Sequence, residues 1–231
     1  KVMPIRRLLP AVAIFLVTAF SASAFATPLR ANSAHSGDYI SLLMIGSVSK
    51  VEGVSTTRGT LQERNTDDTT AAPGIAIGYN WAKKGLSLRT EFEYHYRVRF
   101  DFDTRIIGTD GYENQLSTHA ILLNAYYDHQ LSKTLALFGG GGIGWAQNVS
   151  DMNRTSLNGG AGGDRIDRED NFAWNLAAGT IWSYSSDWDI EFRYRFIDLG
   201  EVSSGPHPDS TTISADEYTA HDIIIGFNYR F

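Results

Sequence analysis

The sequence predicts an all-β protein, an eight-stranded antiparallel transmembrane up-and-down β-barrel, and three observations predict it. The stretch Leu86 to Phe102, LSLRTEFEYHYRVRFDF, alternates without interruption. Leu86, Leu88, Thr90, Phe92, Tyr94, Tyr96, Val98, Phe100 and Phe102 share one parity; Ser87, Arg89, Glu91, Glu93, His95, Arg97, Arg99 and Asp101 share the other. A period of two is a β-strand. Globular strands usually run about 5 to 6 residues, whereas a membrane-crossing strand needs roughly 9 to 11. Second, seven further strand-like segments are joined alternately by long polar loops and short turns, the asymmetry of a barrel that presents loops on one side of a membrane. Third, the five tryptophans fall at strand ends: Trp81, Trp182 and Trp188 beside short turns, Trp145 and Trp174 beside long loops. Two interfacial aromatic girdles would sit there.

The N-terminus supplies the compartment. Lys1, Arg6 and Arg7 form a basic leader, Leu8 to Val17 a short apolar run, and Ala24-Phe25-Ala26 a small-x-small cleavage site. Residues 1–26 therefore read as a secretory signal peptide, since a spanning helix needs roughly 20 apolar residues. Residues 27–37 read as a short periplasmic lead-in and 38–231 as the barrel. The absence of cysteine excludes a disulfide framework, thiolate metal ligation and thiol catalysis. Beyond the leader no stretch is apolar enough for a spanning helix, so a membrane placement requires a closed barrel, which satisfies its own backbone hydrogen bonds in lipid.

The first strand, Tyr39 to Ser49, places Ile40, Leu42, Met44, Gly46 and Val48 on one parity, with Leu43 and Ile45 blurring the pattern. A loop over about 50–72 follows. The second, Gly74 to Ala82, turns through Lys83-Lys84-Gly85 into the long third strand. After a loop over about 101–117, the fourth strand faces outward with Ile121, Leu123, Ala125 and Tyr127 and inward with Asn124, Tyr126 and Asp128. The fifth, Leu135 to Asn148, carries Gly140, Gly142 and Gly144 in one column. No Lys-Ser/Thr follows them, so the column reads as a thinned inner wall rather than a phosphate loop. A loop over about 149–171, with a glycine-rich tip at Asn158 to Gly163, precedes the sixth strand, Phe172 to Tyr184. The seventh, Trp188 to Phe196, sets Asp189, Glu191, Arg193 and Arg195 inward. After a loop over about 200–217, the eighth ends the sequence with Ile223, Ile225, Phe227, Tyr229 and Phe231 outward.

The segment Tyr194-Arg195-Phe196-Ile197-Asp198-Leu199-Gly200, the glycine-patterned Phe138 to Gly144 and the ending Gly226-Phe227-Asn228-Tyr229-Arg230-Phe231 resemble the opacity-type surface proteins of Gram-negative bacteria. Those are eight-stranded barrels related in architecture to the transmembrane domain of outer membrane protein A. The resemblance implies the cell outer membrane, contact with lipid and lipopolysaccharide, and activity carried by loops, with a possible host surface protein as partner. It also implies that Phe227, Tyr229 and Phe231 form the signal read by the barrel-assembly machinery.

The inward charges Arg89, Glu91, Glu93, His95, Arg97, Arg99, Asp189, Glu191, Arg193 and Arg195 could line an ion path. An eight-stranded barrel, however, is just wide enough for its side chains to fill, and buried charges must be paired, so a salt-bridged plug is expected. Lipid-modifying catalysis is a rival that would need a nucleophile or carboxylate beside His119 or His221. His221 and Asp222 are strand neighbours and point to opposite faces, so no enzyme activity, cofactor or metal site is expected. The acidic Asp164, Asp167, Glu169 and Asp170 lack a calcium-loop spacing. Residues 200–217 carry four acidic residues and no Lys or Arg. Acidic loops disfavour nucleic acid and other polyanions and suit divalent cations shared with lipopolysaccharide, or host proteins. The expected function is a structural or adhesive surface protein, with a narrow porin-like channel and a lipid-modifying enzyme as the alternatives.

Overall fold

The computed structural model describes residues 37–57, 61–106, 110–156, 163–206 and 210–231. The signal peptide, most of the lead-in and the tips of all four loops lie outside the described residues. Eight staves form the barrel: β1 (Gly37–Glu52), β2 (Asp67–Asn80), β3 (Leu88–Ile106), β4 (Asp110–Gln130), β5 (Leu135–Ser156), β6 (Gly163–Ser183), β7 (Trp188–Asp198) and β8 (Glu217–Arg230). Each pairs antiparallel with its sequence neighbour, except that β7 and β8 also flank a long excursion, and β1 pairs with β8 to close the ring. Closure leaves the spanning part without a sheet edge, the condition for a sheet in lipid. At the seam the Phe231 amide donates to the Asp38 carbonyl at 3.2 Å.

The turns are short on one end. Trp81–Lys84 is a 3-10 turn whose Asn80 side chain caps the Ala82 amide, and Gly85 ends it at φ 75°, a conformation that favours glycine. Outward positions of the staves are apolar and exposed, among them Leu42, Ile77, Phe92, Leu123, Ile143, Leu176 and Ile223. Inward positions are closed off from solvent. On β1 the outward set is Ile40, Leu42, Met44 and Val48, and the residues that blurred the pattern, Leu43 and Ile45, point inward to join Ala72, Ala76 and Ile224. One wall of the lumen is thus apolar.

Three expectations are corrected. The alternation of the third strand does not run through to Phe102. The β3–β4 register shifts between Arg97 and Phe100, a β-bulge that inserts one residue and reverses the parity beyond it. Arg99 is therefore exposed and lies outside the lumenal charges, while Phe100 is fully buried inside. The stretches about 101–117 and 149–171 are not loops over most of their length, because β3 and β4 continue to Ile106 and from Asp110, and β5 and β6 to Ser156 and from Gly163. Backbone pairing needs no apolar alternation once both faces leave the lipid, so the hydropathy signal ends before the strand does. The same correction applies in part to 50–72, where β2 begins at Asp67 and Leu61–Asn65 pairs with the far end of β3, and to 200–217, where Val202–Ser204 pairs with Ile213–Ala215, which pairs in turn with Ser55–Thr56.

Candidate functional site

The lumen is filled in two storeys. The lower one, nearer the short turns, is ionic. Its fully buried cations Arg89, Arg97, Arg193 and Arg195 face the buried carboxylates of Glu91, Glu93, Glu191 and Asp222. Arg89 reaches Glu191 at 2.9 Å and Asp128 at 3.4 Å. Arg193 joins three staves, with Glu191 at 2.5 Å, Glu91 at 3.1 Å and Glu93 at 3.2 Å, and donates to Tyr126 Oη at 2.9 Å. Tyr39 Oη donates to Glu91 at 2.9 Å. Arg89 lies 4.8 Å above both the Tyr126 and Phe138 rings, a contact that strengthens when desolvated. One level up, Arg195 bridges Glu93 at 2.6 Å and Asp222 at 2.8 Å, Arg97 meets Asp222 at 2.7 Å and Ser47 at 2.7 Å, and His95 Nδ1 lies 2.9 Å from Glu93. Near-equal charge and multiple bonds per group are what a buried ionic cluster needs to be tolerated. Asp189 is placed apart, beside Arg230 at 2.8 Å near the turn end.

The strand pattern predicts these inward charges, and the bulge removes Arg99 from them. Asp222 and Asp128 complete the cluster from β8 and β4; both stand on inward parity. The glycine column has a local reason too. Asn124, Gly142 and Asn175 form one row across β4, β5 and β6, and the two asparagines meet over the glycine, Asn175 Nδ2 donating to Asn124 Oδ1 at 2.8 Å. A Cβ at Gly142 would stand 2.0 Å from that same oxygen.

The upper storey is apolar, and the sequence reading missed it. Phe100, Leu116, Leu122, Ile197, Leu199 and Tyr218 pack inside the loop end together with Val51, Val202 and Ala215, and Met152 packs with Ile213. Val202, Ile213 and Ala215 belong to the short paired strands of the fourth excursion, which fold over the mouth. The signal in the sequence is apolar residues on inward parity, Leu116, Leu122 and Ile197 among them, which a wholly polar interior does not accommodate. The cover is tied down at its side. Asn148 Nδ2 donates to the carbonyls of Leu199 at 3.0 Å and Glu201 at 2.9 Å. Asp167 accepts from Arg165 at 2.8 Å, Ser204 Oγ at 3.0 Å and the Gly205 amide at 2.9 Å. Partial burial pushes the Asp167 carboxyl upward, but these bonds outweigh it and hold it below the ordinary carboxylate range.

Past the mouth the rim is uneven. The pairing of β6 with β7 ends at Trp174 and Asp198, whereas β4, β5 and β6 continue to pair as far as Asp110, Ser156 and Gly163. Residues 163–173 of β6 thus extend beyond its neighbour by about ten residues, roughly 30 Å of strand. β3 to β6 form a projecting half-wall.

Aromatic side chains mark two levels on the outer face. Near the turns, Trp81 packs edge-on to Tyr79 at 4.8 Å, Trp182 near Tyr184 at 5.8 Å and Trp188 near Tyr229 at 5.0 Å, with Phe231 beside Tyr229 at 5.9 Å. At the other level Trp145 pairs with Phe172 across β5 and β6, and Trp174 packs near Phe196 at 5.5 Å. Phe227 is outward on β8. His221 is outward while Asp222 points into the ionic cluster, so the two form no dyad. Among the described residues no group of three or more His, Cys, Asp or Glu side chains could hold a metal ion.

The family model of the outer membrane protein β-barrel domain matches residues 12–231. Outer membrane protein PagN of Salmonella typhimurium is 26% identical over 238 residues, covering 94% of this chain and 95% of the relative. Among solved structures, the outer membrane protein OprG from Pseudomonas aeruginosa aligns with TM-score 0.54 and 13% identity over 84% of this chain and 97% of its own. Neisserial surface protein A aligns with TM-score 0.50 and 13% identity over 84% and 97%. At that identity the structural likeness carries the fold.

Proposed function

Because the chain belongs to the family of outer membrane protein β-barrel domains and its place is the Gram-negative cell outer membrane, we propose that it is a surface anchor whose working part is the projecting wall and the loops it carries, with an adhesive or host-interaction role. The observation that carries this reading is the filled lumen beneath a tall rim. The interior offers an ionic cluster and an apolar cap where a channel needs water, and β3 to β6 continue well past the end of β7. A strand extension of that length has no role in crossing lipid. It is suited to presenting a surface to partners outside the cell.

The reading assigns no catalytic step. The Trp81, Trp182 and Trp188 level and the Trp145 and Trp174 level act as the two interfacial girdles, and Phe227, Tyr229 and Phe231 on the closing stave act as the contact for the assembly machinery. Acidic excursions such as 200–217 favour divalent cations or a basic protein surface over polyanions. The test shortens the wall. A variant in which residues 102–115 and 153–166 are each replaced by a tight turn is expected to keep its heat-modifiable band in outer-membrane fractions and to lose adherence to host cells. Unchanged adherence with an intact band would overturn the proposal.

A further inference from the structure

Two outward-facing tyrosine-histidine pairs repeat on opposite walls of the barrel. On β3 and β4, Tyr94 Oη lies 2.9 Å from His119 Nδ1, with the rings 6.2 Å apart at 22°. On β7 and β8, Tyr194 Oη lies 2.7 Å from His221 Nδ1, with the rings 6.1 Å apart at 24°. The construction is the same. Each histidine stands opposite an aromatic residue, Tyr96 for His119 and Phe196 for His221, and a tyrosine two residues nearer the turns reaches it diagonally. The sequence repeats with it, Glu91-Phe92-Glu93-Tyr94 matching Glu191-Phe192-Arg193-Tyr194, and His119 and His221 each preceding an outward Ile at the second position after it. In the ring of eight staves the two seams are four staves apart, on opposite sides.

Their height is also shared. The turn-end pairs on the two seams are Leu88 with Tyr127 and Trp188 with Tyr229, and each histidine is eight residues along its strand from them. At a rise of ~3.3 Å and a tilt near 40° that is roughly 20 Å, close to the outer margin of an apolar band about 25 Å tall. A polar ring in that position is costly unless both nitrogens find partners. In the tautomer in which the phenol donates to Nδ1, the proton sits on Nε2 and its N–H is directed away from the tyrosine. Among the described residues the Nε2 of neither histidine has a hydrogen-bond partner.

We propose that each pair is a docking point for an acceptor oxygen of an outer-leaflet lipid at the boundary between headgroup and acyl chains, a phosphate or acyl-ester oxygen received by the Nε2–H of His119 or His221. Tyr96, with its ring 4.8 Å from His119, and Phe196, 5.4 Å from His221, wall the position on one side. The two sites would fix one lipid on each face of the barrel. The inference rests on the outer-membrane placement and is independent of the adhesive role, so loss of adherence leaves it standing.

The experiment is solid-state NMR on histidine-15N protein in bilayers of a phosphate-bearing lipid labelled with 13C at its ester carbonyls. His119→Phe and His221→Phe assign the two signals, with heat-modifiable mobility as the check on folding. If either variant fails to fold, Tyr94→Phe and Tyr194→Phe assign them instead, by shifting the Nδ1 resonance. The expected result is a protonated Nε2 at both sites whose signal is dephased by 31P, identifying phosphate, or by 13C, identifying ester. Dephasing by neither nucleus would overturn the proposal.

Discussion

Gly142 and Glu93 show how single positions constrain the lumen. At Gly142 the space a methyl group would take is occupied by the Asn124 carboxamide bonded to Asn175. Gly142→Ala is expected to destabilise the barrel by about 1–3 kcal/mol, the usual cost of overpacking, read as a lower urea midpoint in micelles. Asn124→Ala should relieve only part of that loss when combined with it, because the Leu123 carbonyl oxygen also stands 2.6 Å from the added methyl position. Glu93 accepts from Arg193, Arg195, His95 and Asn124. Glu93→Gln leaves two buried guanidinium groups undercompensated and is expected to cost roughly 3–5 kcal/mol. A cost near zero in the same urea titration would mean that water enters the cluster.

At the scale of the element, the bulge of β3 decides which side chains meet the lumen. Wild-type protein has no cysteine, so single thiols report cleanly. In detergent-extracted protein Arg99→Cys is expected to react with maleimide and Phe100→Cys to resist it; the opposite order would remove the bulge. The strap over the mouth carries a pH dependence. Asp167 is held below its ordinary range in the folded protein, so the stability it contributes is present above the unfolded value of about 3.9. That contribution is lost only as pH falls through the lower folded value. The Gly205 amide resonance should therefore be constant from neutral pH to mild acid and move below about pH 4, and Arg165→Gln should raise the midpoint. Strand extents show how far the sequence could be read. Leu88 to Arg97 was legible because lipid outside and charge inside force alternation. The bulge was not, because Val98, Arg99 and Phe100 carry no glycine or proline to mark it. The projecting ends of β3 to β6 were illegible for a different reason: outside the lipid, backbone pairing persists without an apolar face.

On the scale of the whole molecule, the ring is closed by β1 and β8 and sealed by two chemistries stacked along its axis. The ionic storey was legible in the sequence, since β3 and β7 bring alternating arginine and glutamate to one face. The apolar cap was not, since it depends on Val202, Ile213 and Ala215 returning from a distant excursion to cover Phe100 and Tyr218. The segment that covers the mouth also braces the tall wall, through Asp167 and through Asn171, whose side chain exchanges hydrogen bonds with Glu201 at 2.8 and 3.1 Å. The most direct test of this account is ion conductance of the purified protein in planar bilayers, compared with a variant in which residues 202–215 are replaced by a short linker and the Glu93 side chain is removed. The account predicts no discrete conductance from the wild-type protein and steps only from the opened variant. Stable single-channel steps from the wild-type protein would contradict it.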